Sequence, residues 1–236
     1  MYFQQLTPHL SMLSLGMVHC YLFEGAHGPI LIDCGNPGDG TKILAALAHR
    51  NHRPADLRIV ATHLHIDHIG ALSELQAAGA PAAVLSPLDA EAVAQGIWMR
   101  PMHFAGPFGW FEDSINRRMA TSQRGPMVQT LPAGVDGAVL FDELTVIATP
   151  GHSMGQISLY SPVDGGILVC GDAAVHFTAQ PNISFLYEDK GAAITSFRRL
   201  AALNVAHAVF GHGKPLIGSA DGAFKLRASR LKKSNN

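Results

Sequence analysis

One cluster of histidines and an aspartate constrains this chain more than any other feature. It reads Thr62-His63-Leu64-His65-Ile66-Asp67-His68-Ile69-Gly70. The apolar run at residues 57–61 predicts a short buried strand that ends at the cluster. In an extended backbone, side chains two positions apart face the same way, so His63 and His65 point to the same side. Imidazole and carboxylate together suit zinc, iron, manganese or cobalt, so the cluster predicts a metal site.

Further candidate ligands lie beyond this pair of histidines. Asp67 and His68 fall where the chain begins to turn, so they can address a second position nearby. Three later ligand candidates each stand beside glycine at the end of a predicted strand: His152 in Thr149-Pro150-Gly151-His152, Asp172 in Cys170-Gly171-Asp172, and His212 in Phe210-Gly211-His212-Gly213. Strand ends can converge on one edge of a packed sheet, so distant segments can supply one site.

Composition limits the class of protein. The chain has 236 residues, of which 47% are hydrophobic and 15% charged, and this is ample for a core. The formal net charge of −1 gives no electrostatic footprint for nucleic acid. We see no linker, repeat or low-complexity segment, so residues 1–236 are predicted to form a single domain.

The N-terminus and the cysteines bear on location. The first residues lack the basic start and the small-residue cleavage site of a signal peptide. No stretch approaches ~18 uninterrupted apolar residues, so no membrane span or membrane partner is expected. Cys20, Cys34 and Cys170 form no CxxC pair, as in a reducing compartment. The prediction is a cytoplasmic protein.

The order of predicted elements indicates the architecture. Strands are predicted at residues 12–23, 30–33, 57–61, 82–85, 138–140, 144–148, 157–160, 167–169 and 208–210. Helices are predicted at residues 41–50, 69–78, 89–97 and 192–203, and a basic helix or tail at residues 223–233. Strands come first as a hairpin, then mixed with helices, and a second set of strands follows the middle. This order favours an α/β protein with two sheets packed on each other and helices outside.

The segment at residues 98–124 is less regular and rich in aromatic side chains and methionine. These residues are Trp98, Met99, Met102, Phe104, Phe108, Trp110 and Phe111. The segment could form a lid with an apolar wall for an acyl chain, with His103 inside it. The alternative is that the segment packs as core or as a homodimer contact.

The ordered ligand set resembles the metallo-β-lactamase superfamily, in which HxHxDH is followed by His, Asp and His. Leu31-Ile32-Asp33-Cys34-Gly35 is similar to a strand end of that family. The resemblance implies an αββα four-layer sandwich of two mixed sheets flanked by helices. It also implies two divalent ions, with zinc expected and iron or manganese as alternatives. The implied roles are a first metal bound by His63, His65 and His152, a second bound by Asp67, His68 and His212, a bridging Asp172 and a supporting Asp33.

The same resemblance implies a reaction. A hydroxide shared by the two ions would attack the carbonyl carbon of a small-molecule substrate, with Asp67 orienting it. The chain is most similar to the lactonase-like and glyoxalase II-like branches, which cleave lactones and thioesters. Val175 stands where the lactonases have tyrosine, and His176 beside it is either a donor or a surface histidine. The basic glutathione-binding residues of glyoxalase II are not evident.

Other branches remain alternatives. His65 occupies a position where the flavin-linked diiron branch has glutamate, which disfavours that branch. A mononuclear-iron sulfur dioxygenase, an RNase Z-like phosphodiesterase and a low-turnover metal-binding regulator share the motif.

Overall fold

The computed structural model describes residues 1–104, 125 and 128–231. The strands are β1 Gln4–Gln5, β2 Leu10–Ser14, β3 His19–Gly25, β4 Gly28–Ile32, β5 Arg58–Val60, β6 Ala83–Leu85, β7 His103–Phe104, β8 Thr130–Pro132, β9 Val139–Leu140, β10 Leu144–Ala148, β11 Ile157–Ser161, β12 Ile167–Val169, β13 Leu186–Tyr187, β14 His207–Val209 and β15 Leu216–Ile217. The helices are α1 Gly40–Ala48, α2 Ile66–Ile69, α3 Leu72–Ala77, α4 Pro87–Ala94, α5 Lys190–Ala201 and α6 Ala220–Arg230, with 3-10 turns at Pro54–Asp56 and Val163–Gly165.

Two mixed sheets form the centre of the molecule. The first has the strand order β1-β2-β3-β4-β5-β6-β8, and the second has the order β15-β14-β12-β11-β10-β9. In the first sheet the pairs from β4 to β8 are parallel and the earlier pairs antiparallel. In the second sheet only β12 and β14 pair in parallel. A small third sheet pairs β7 with β13.

Three apolar cores separate the layers. Between the two sheets, side chains from both pack together, among them Tyr21, Ile32, Val60, Leu159 and Val169. The outer face of the first sheet is covered by α1 and α3, which contribute Ile43, Leu47, Leu72 and Leu75. The outer face of the second is covered by α5 and α6, which contribute Phe197, Leu200 and Phe224. The predicted αββα sandwich is therefore confirmed.

The N-terminal hairpin differs from the sequence-based expectation of one strand at residues 12–23. The chain instead turns back between β2 and β3, and Leu15 N donates to Val18 O at 2.9 Å. Gly16 adopts a φ of 95°, which glycine reaches without the steric strain of a Cβ. The prediction of a single strand was wrong because the apolar pattern runs through both arms and hides this turn.

Several helix boundaries also differ from the prediction. The helix expected at residues 69–78 is two helices, α2 and α3, separated at Gly70, where a Cβ would overlap the backbone oxygen of Ile66 and the ring of Pro37. The C-terminal helix spans Ala220–Arg230 rather than residues 223–233.

The segment at residues 98–124 is described only in part. Trp98 is fully buried in the core outside the first sheet, so it packs as core and a lid role for it is wrong. His103 and Phe104 form β7, and Phe108, Trp110 and Phe111 lie outside the described residues. Cys20, Cys34 and Cys170 are all buried and free. Within the described ranges, no helix combines the length and apolar character needed to cross a membrane.

Candidate metal centre

Strand ends from both sheets deliver the predicted ligands to one place. His63 and His65 follow β5, while Asp67 and His68 lie on α2, directly after them. The other three follow strands of the second sheet: His152 after β10, Asp172 after β12 and His212 after β14. All seven belong to three groups of three residues that share members. Within each group, the ligand atoms lie within 4.8 Å of one another. The structure therefore brings the whole predicted set together.

Three imidazole nitrogens converge in the first group. His63 Nε2 lies 2.9 Å from His65 Nδ1, and His152 Nε2 lies 3.0 Å from the same atom. Zinc–nitrogen bonds are about 2.0–2.1 Å long, so two nitrogens on one tetrahedral ion stand about 3.3 Å apart. The trio fits a single ion closely.

Asp172 lies between this first group and a second one formed by Asp67, His68 and His212. Its Oδ2 is 3.4 Å from His152 Nε2 and 3.3 Å from His212 Nε2, and its Oδ1 is 3.6 Å from His68 Nε2. On the second side, His212 Nε2 is 3.1 Å from Asp67 Oδ2. One carboxylate that touches both groups has the placement of a bridging ligand.

Four of the five histidines are held by their outward ring nitrogen, Nδ1. The partners are Thr62 Oγ1 for His63 at 3.1 Å, Asp33 Oδ2 for His68 at 2.9 Å, Leu186 O for His152 at 2.8 Å and Met17 O for His212 at 2.7 Å. Carbonyl and carboxylate oxygens only accept, so these Nδ1 atoms carry the proton where such an oxygen faces them. In the neutral ring the Nε2 lone pair then faces the centre, which is how protein sites orient metal-binding histidines.

Buried polar atoms without partners provide an independent test of the fit. His68 Nε2 and Asp172 Oδ1 are buried and lack a hydrogen-bond partner. A buried polar atom without a partner is destabilising by roughly 1–3 kcal/mol, more for a charged group. Both atoms point into the cluster, so a divalent ion would satisfy them. The residues present fit a metal centre, and the division of ligands between two ions stays a prediction.

The electrostatics of the cluster favour bound cations. Burial and the neighbouring imidazoles lower the pKa of His63 and His65, so both rings are neutral, as metal ligands must be. Burial also lowers the pKa of His68, but nearby carboxylates, Asp33 first, outweigh it and raise the pKa to about 9. Burial raises the pKa of Asp172, yet the surrounding imidazoles hold it well below its ordinary value. The cluster thus keeps its carboxylates ionised and draws positive charge.

Asp33 contacts the cluster from outside the ligand groups. It is buried, and its Oδ1 accepts a hydrogen bond from Thr62 N at 2.7 Å while its Oδ2 holds His68. It contacts the ligand His68 and is absent from the three ligand groups. This placement agrees with the supporting role that the sequence indicated.

A cavity of about 380 Å³ opens onto the cluster, and candidate ligands of both sides line it: His65 and His152 of the first, Asp67 and His212 of the second. The side chains around it are mainly apolar: Met17, Ile66, Met99, Met102, Val175, Phe177, Phe185 and Leu186, with Asn36 and Ser184 as polar members beside the ligands. Met17 is 78% exposed, Phe177 51% and Phe185 52%, and these three form an apolar rim. None of the described lining residues is lysine or arginine.

The sequence had singled out His176 and Val175, and the structure separates them. Val175 lines the cavity, whereas His176 is buried beside it and its Nδ1 donates to Lys214 O at 2.8 Å. His176 N also donates to His212 O at 3.3 Å. The alternative that His176 is a surface histidine was wrong. The residue is buried, and it hydrogen-bonds to the loop that carries His212.

Sequence reasoning missed the rim. Met17 lies on the turn concealed in the first predicted strand, and Phe177 and Phe185 lie in loop residues with no local pattern to mark them. Only the Gly16-Met17 pair carried a signal, because glycine in an apolar strand pattern often marks a break.

Comparison with known proteins places the chain in a family. A family model described as the metallo-beta-lactamase superfamily matches residues 13–212. The chain is 31% identical to the "Probable metallo-hydrolase YflN" of Bacillus subtilis (strain 168), over 81% of this chain and 78% of that protein. It is 30% identical to the mouse "Metallo-beta-lactamase domain-containing protein 1", over 82% of this chain but only 63% of that relative.

Solved structures show the same fold. The metallo-beta-lactamase family protein TTHA1429 from Thermus thermophilus superposes with a TM-score of 0.69 at 24% identity, over 96% of this chain and 80% of that one. TTHA1623, solved in a di-iron-bound form, superposes with a TM-score of 0.64 at 25% identity, over 89% of this chain and 95% of that one. On the family match and the convergent histidine and aspartate cluster, the chain belongs to the metallo-beta-lactamase superfamily of metal-dependent hydrolases.

Proposed function

We propose that this protein is a dinuclear metallohydrolase that cleaves an ester-type bond, a lactone or a thioester, in a small molecule with an apolar acyl part. The observation that carries the proposal is the cavity above the ligand cluster, with apolar walls and two groups of ligand atoms at its base. A carbonyl substrate can place its reacting carbon at the cluster while its chain rests on the rim.

The cavity walls favour uncharged substrates. A phosphodiester carries negative charge along its length and is commonly held by lysine or arginine. The described lining residues include neither. Methionine and phenylalanine side chains instead bury methylene groups, each contributing about 0.8 kcal/mol. This argues for an acyl substrate over the RNase Z-like alternative.

The chain's own residues can orient and activate the reactants. Two divalent ions would supply Lewis acidity and lower the pKa of a water. Asp67 Oδ2, held 3.1 Å from His212 Nε2, faces the cavity and can accept a hydrogen bond from the attacking water. The Asn36 amide also lines the cavity and can donate to a substrate carbonyl.

Metal identity belongs to the same proposal. Zinc is our first choice because a set of histidines with carboxylates suits it. Iron is the second, since one structural relative is a di-iron form and ligand type does not separate the two metals.

Elemental analysis run beside a hydrolysis screen tests the proposal. The screen contains lactones, thioesters, phosphodiesters and a chromogenic β-lactam, with chelator-treated protein as control. Two zinc ions per chain with metal-dependent turnover of lactones or thioesters would support it. One iron per chain without hydrolysis would move the assignment to sulfur oxidation. Two bound ions with no turnover of any substrate would indicate a regulator instead.

A further inference from the structure

A buried ion network lies beside the first group of histidines and outside the ligand set. Arg100 Nη1 lies 2.8 Å from Asp89 Oδ1 and 3.6 Å from Glu188 Oε1. The Asp89 side chain is fully buried, and the other two are largely so. One cation between two carboxylates in this setting is poorly screened by water, so the attraction between the charges is stronger than in a surface ion pair.

Asp89 reaches the segment that carries the first two histidines. Its Oδ2 accepts a hydrogen bond at 3.1 Å from the backbone N–H of Leu64, the residue between His63 and His65. Asp89 is itself fixed in the first turn of α4, where its backbone N–H donates to Ser86 Oγ at 3.2 Å. The network therefore holds the His63–His65 segment through its backbone.

Glu188 and Arg100 reach the turn that carries the third histidine. Glu188 Oε2 accepts from Met154 N at 3.1 Å, and Glu188 N donates to Gly151 O at 2.8 Å and His152 O at 3.1 Å. Arg100 Nη1 donates to Ser153 Oγ at 3.3 Å. The network therefore hydrogen-bonds to the turn at residues 151–154 on both sides of His152.

The segment that carries His63 and His65 and the turn that carries His152 are also in close contact. Gly155 lies directly against the Asp89 carboxylate, where a Cβ would overlap Oδ1. At the strand ends, Ile157 N, in the first residue of β11, donates at 2.9 Å to the backbone oxygen of Thr62, two residues beyond β5. The ion network is a further connection between the segment that carries His63 and His65 and the turn that carries His152.

We propose that Arg100, with Asp89 and Glu188, is a positioning residue that sets the spacing of the three histidines of the first metal site. The distance it controls is the 3.0 Å between His65 Nδ1 and His152 Nε2, on segments from different sheets. None of the three belongs to a ligand group of the described residues. The inference rests on the metal centre and not on the choice of an ester substrate.

Metal binding by Arg100→Met tests this without turnover. Methionine keeps an unbranched apolar stem and removes the charge. Arg199→Met is the matched control, because Arg199 pairs with Asp136 at 2.7 Å on the surface. Zinc affinities are measured by competition with a chromogenic chelator, and the visible spectrum of the cobalt-loaded protein reports the ligand geometry.

The expected result is a loss of roughly 10- to 100-fold in affinity for one of the two ions, with an altered cobalt spectrum. Arg100→Lys should recover part of it, and Arg199→Met should behave as wild type. A lower unfolding temperature with both affinities and the spectrum unchanged would overturn the proposal, because a merely structural role predicts that pattern.

Glu188→Gln covers the case in which Arg100→Met does not fold. Glutamine keeps an oxygen for Met154 N and removes only the charge. A weakened affinity for one ion supports the proposal, and wild-type affinity for both overturns it. If hydrolysis of esters is absent in the wild type while these affinities still shift, the proposed substrate fails and the positioning role stands.

Discussion

Asp33 Oδ2 and His68 Nδ1 lie 2.9 Å apart, with the two side chains 1% and 0% exposed. The carboxylate fixes the proton on Nδ1 and so turns Nε2 toward Asp172. The ring's orientation is thus decided by a residue 35 positions away along the chain.

Asp33→Asn should weaken binding of the ion on the His68 side by about 10- to 100-fold, because mutating the hydrogen-bond partner of a metal-binding histidine commonly has an effect of this size. The amide keeps an acceptor for Thr62 N but loses the charge that holds the imidazole. Competition with a chelator measures the affinity. Asp136→Asn, on the exposed pair with Arg199, is the control and should have no effect. Equal affinities in both variants would contradict the role of Asp33.

Gly211→Ala should weaken binding of the same ion, on the His68 side, through a steric clash. A Cβ at this position would overlap Asp172 Oδ1 and the His68 ring, so one of them must move. Gly222→Ala in α6 has open space around its Cβ, so it should be neutral or stabilising by up to about 1 kcal/mol. Metal stoichiometry and thermal unfolding of both variants check this. If Gly211→Ala retains two ions, the close packing is not required.

Metal removal should lower stability. An ion that binds only the folded chain stabilises it by about 4 kcal/mol when present at 1,000 times its Kd. For a chain of this size that raises Tm by roughly 8–16 °C. Calorimetric scans of chelated and zinc-loaded protein measure the shift. Identical Tm values would indicate that the cluster binds no zinc.

Asp164 should give a pH-dependent contribution away from the metal centre. It lies 2.8 Å from His9 Nδ1, and although burial raises its pKa, hydrogen bonds from Thr7 and His9 outweigh this and lower it. A lowered pKa in the folded state stabilises above the unfolded value of about 3.9, and that stability is lost as pH falls through the folded value.

Asp164→Asn isolates this charge, because asparagine also tolerates the φ of 54° at this position. Urea unfolding should show wild type more stable than the variant at pH 6–7, with the difference shrinking below about pH 4. A difference that does not change with pH would show that the carboxylate charge is not responsible.

Phe177→Ala should raise KM for long acyl substrates by about tenfold, since the exposed ring lines the cavity and contributes apolar contact to the acyl part. Short-chain substrates should be less affected. Ile217→Ala is the control, because Ile217 is comparably exposed at 44% but does not line the cavity. A loss independent of chain length would show that Phe177 does not contact the acyl part.

The residues of the candidate metal centre could be predicted from the sequence, and the structure brings them together. The HxHxDH spacing is covalent and local, so the positions of His63, His65, Asp67 and His68 relative to a strand end follow from the backbone. His152, Asp172 and His212 were each marked by glycine at a strand end. The layered fold followed from the order of strands and helices, whereas the turn at Gly16 was hidden inside an apolar pattern that continued through it.

Tertiary structure alone decided the surroundings of the ligands. Met17 O holds His212, Leu186 O holds His152, and Arg100 joins Asp89 to Glu188, all across long separations in the chain. These contacts arise because two sheets pack face to face and bring their loops to one edge. No local spacing encodes which loop meets which. The sequence by itself therefore determined the candidate ligands, whereas packing determined how these residues are held and what lines the cavity above them.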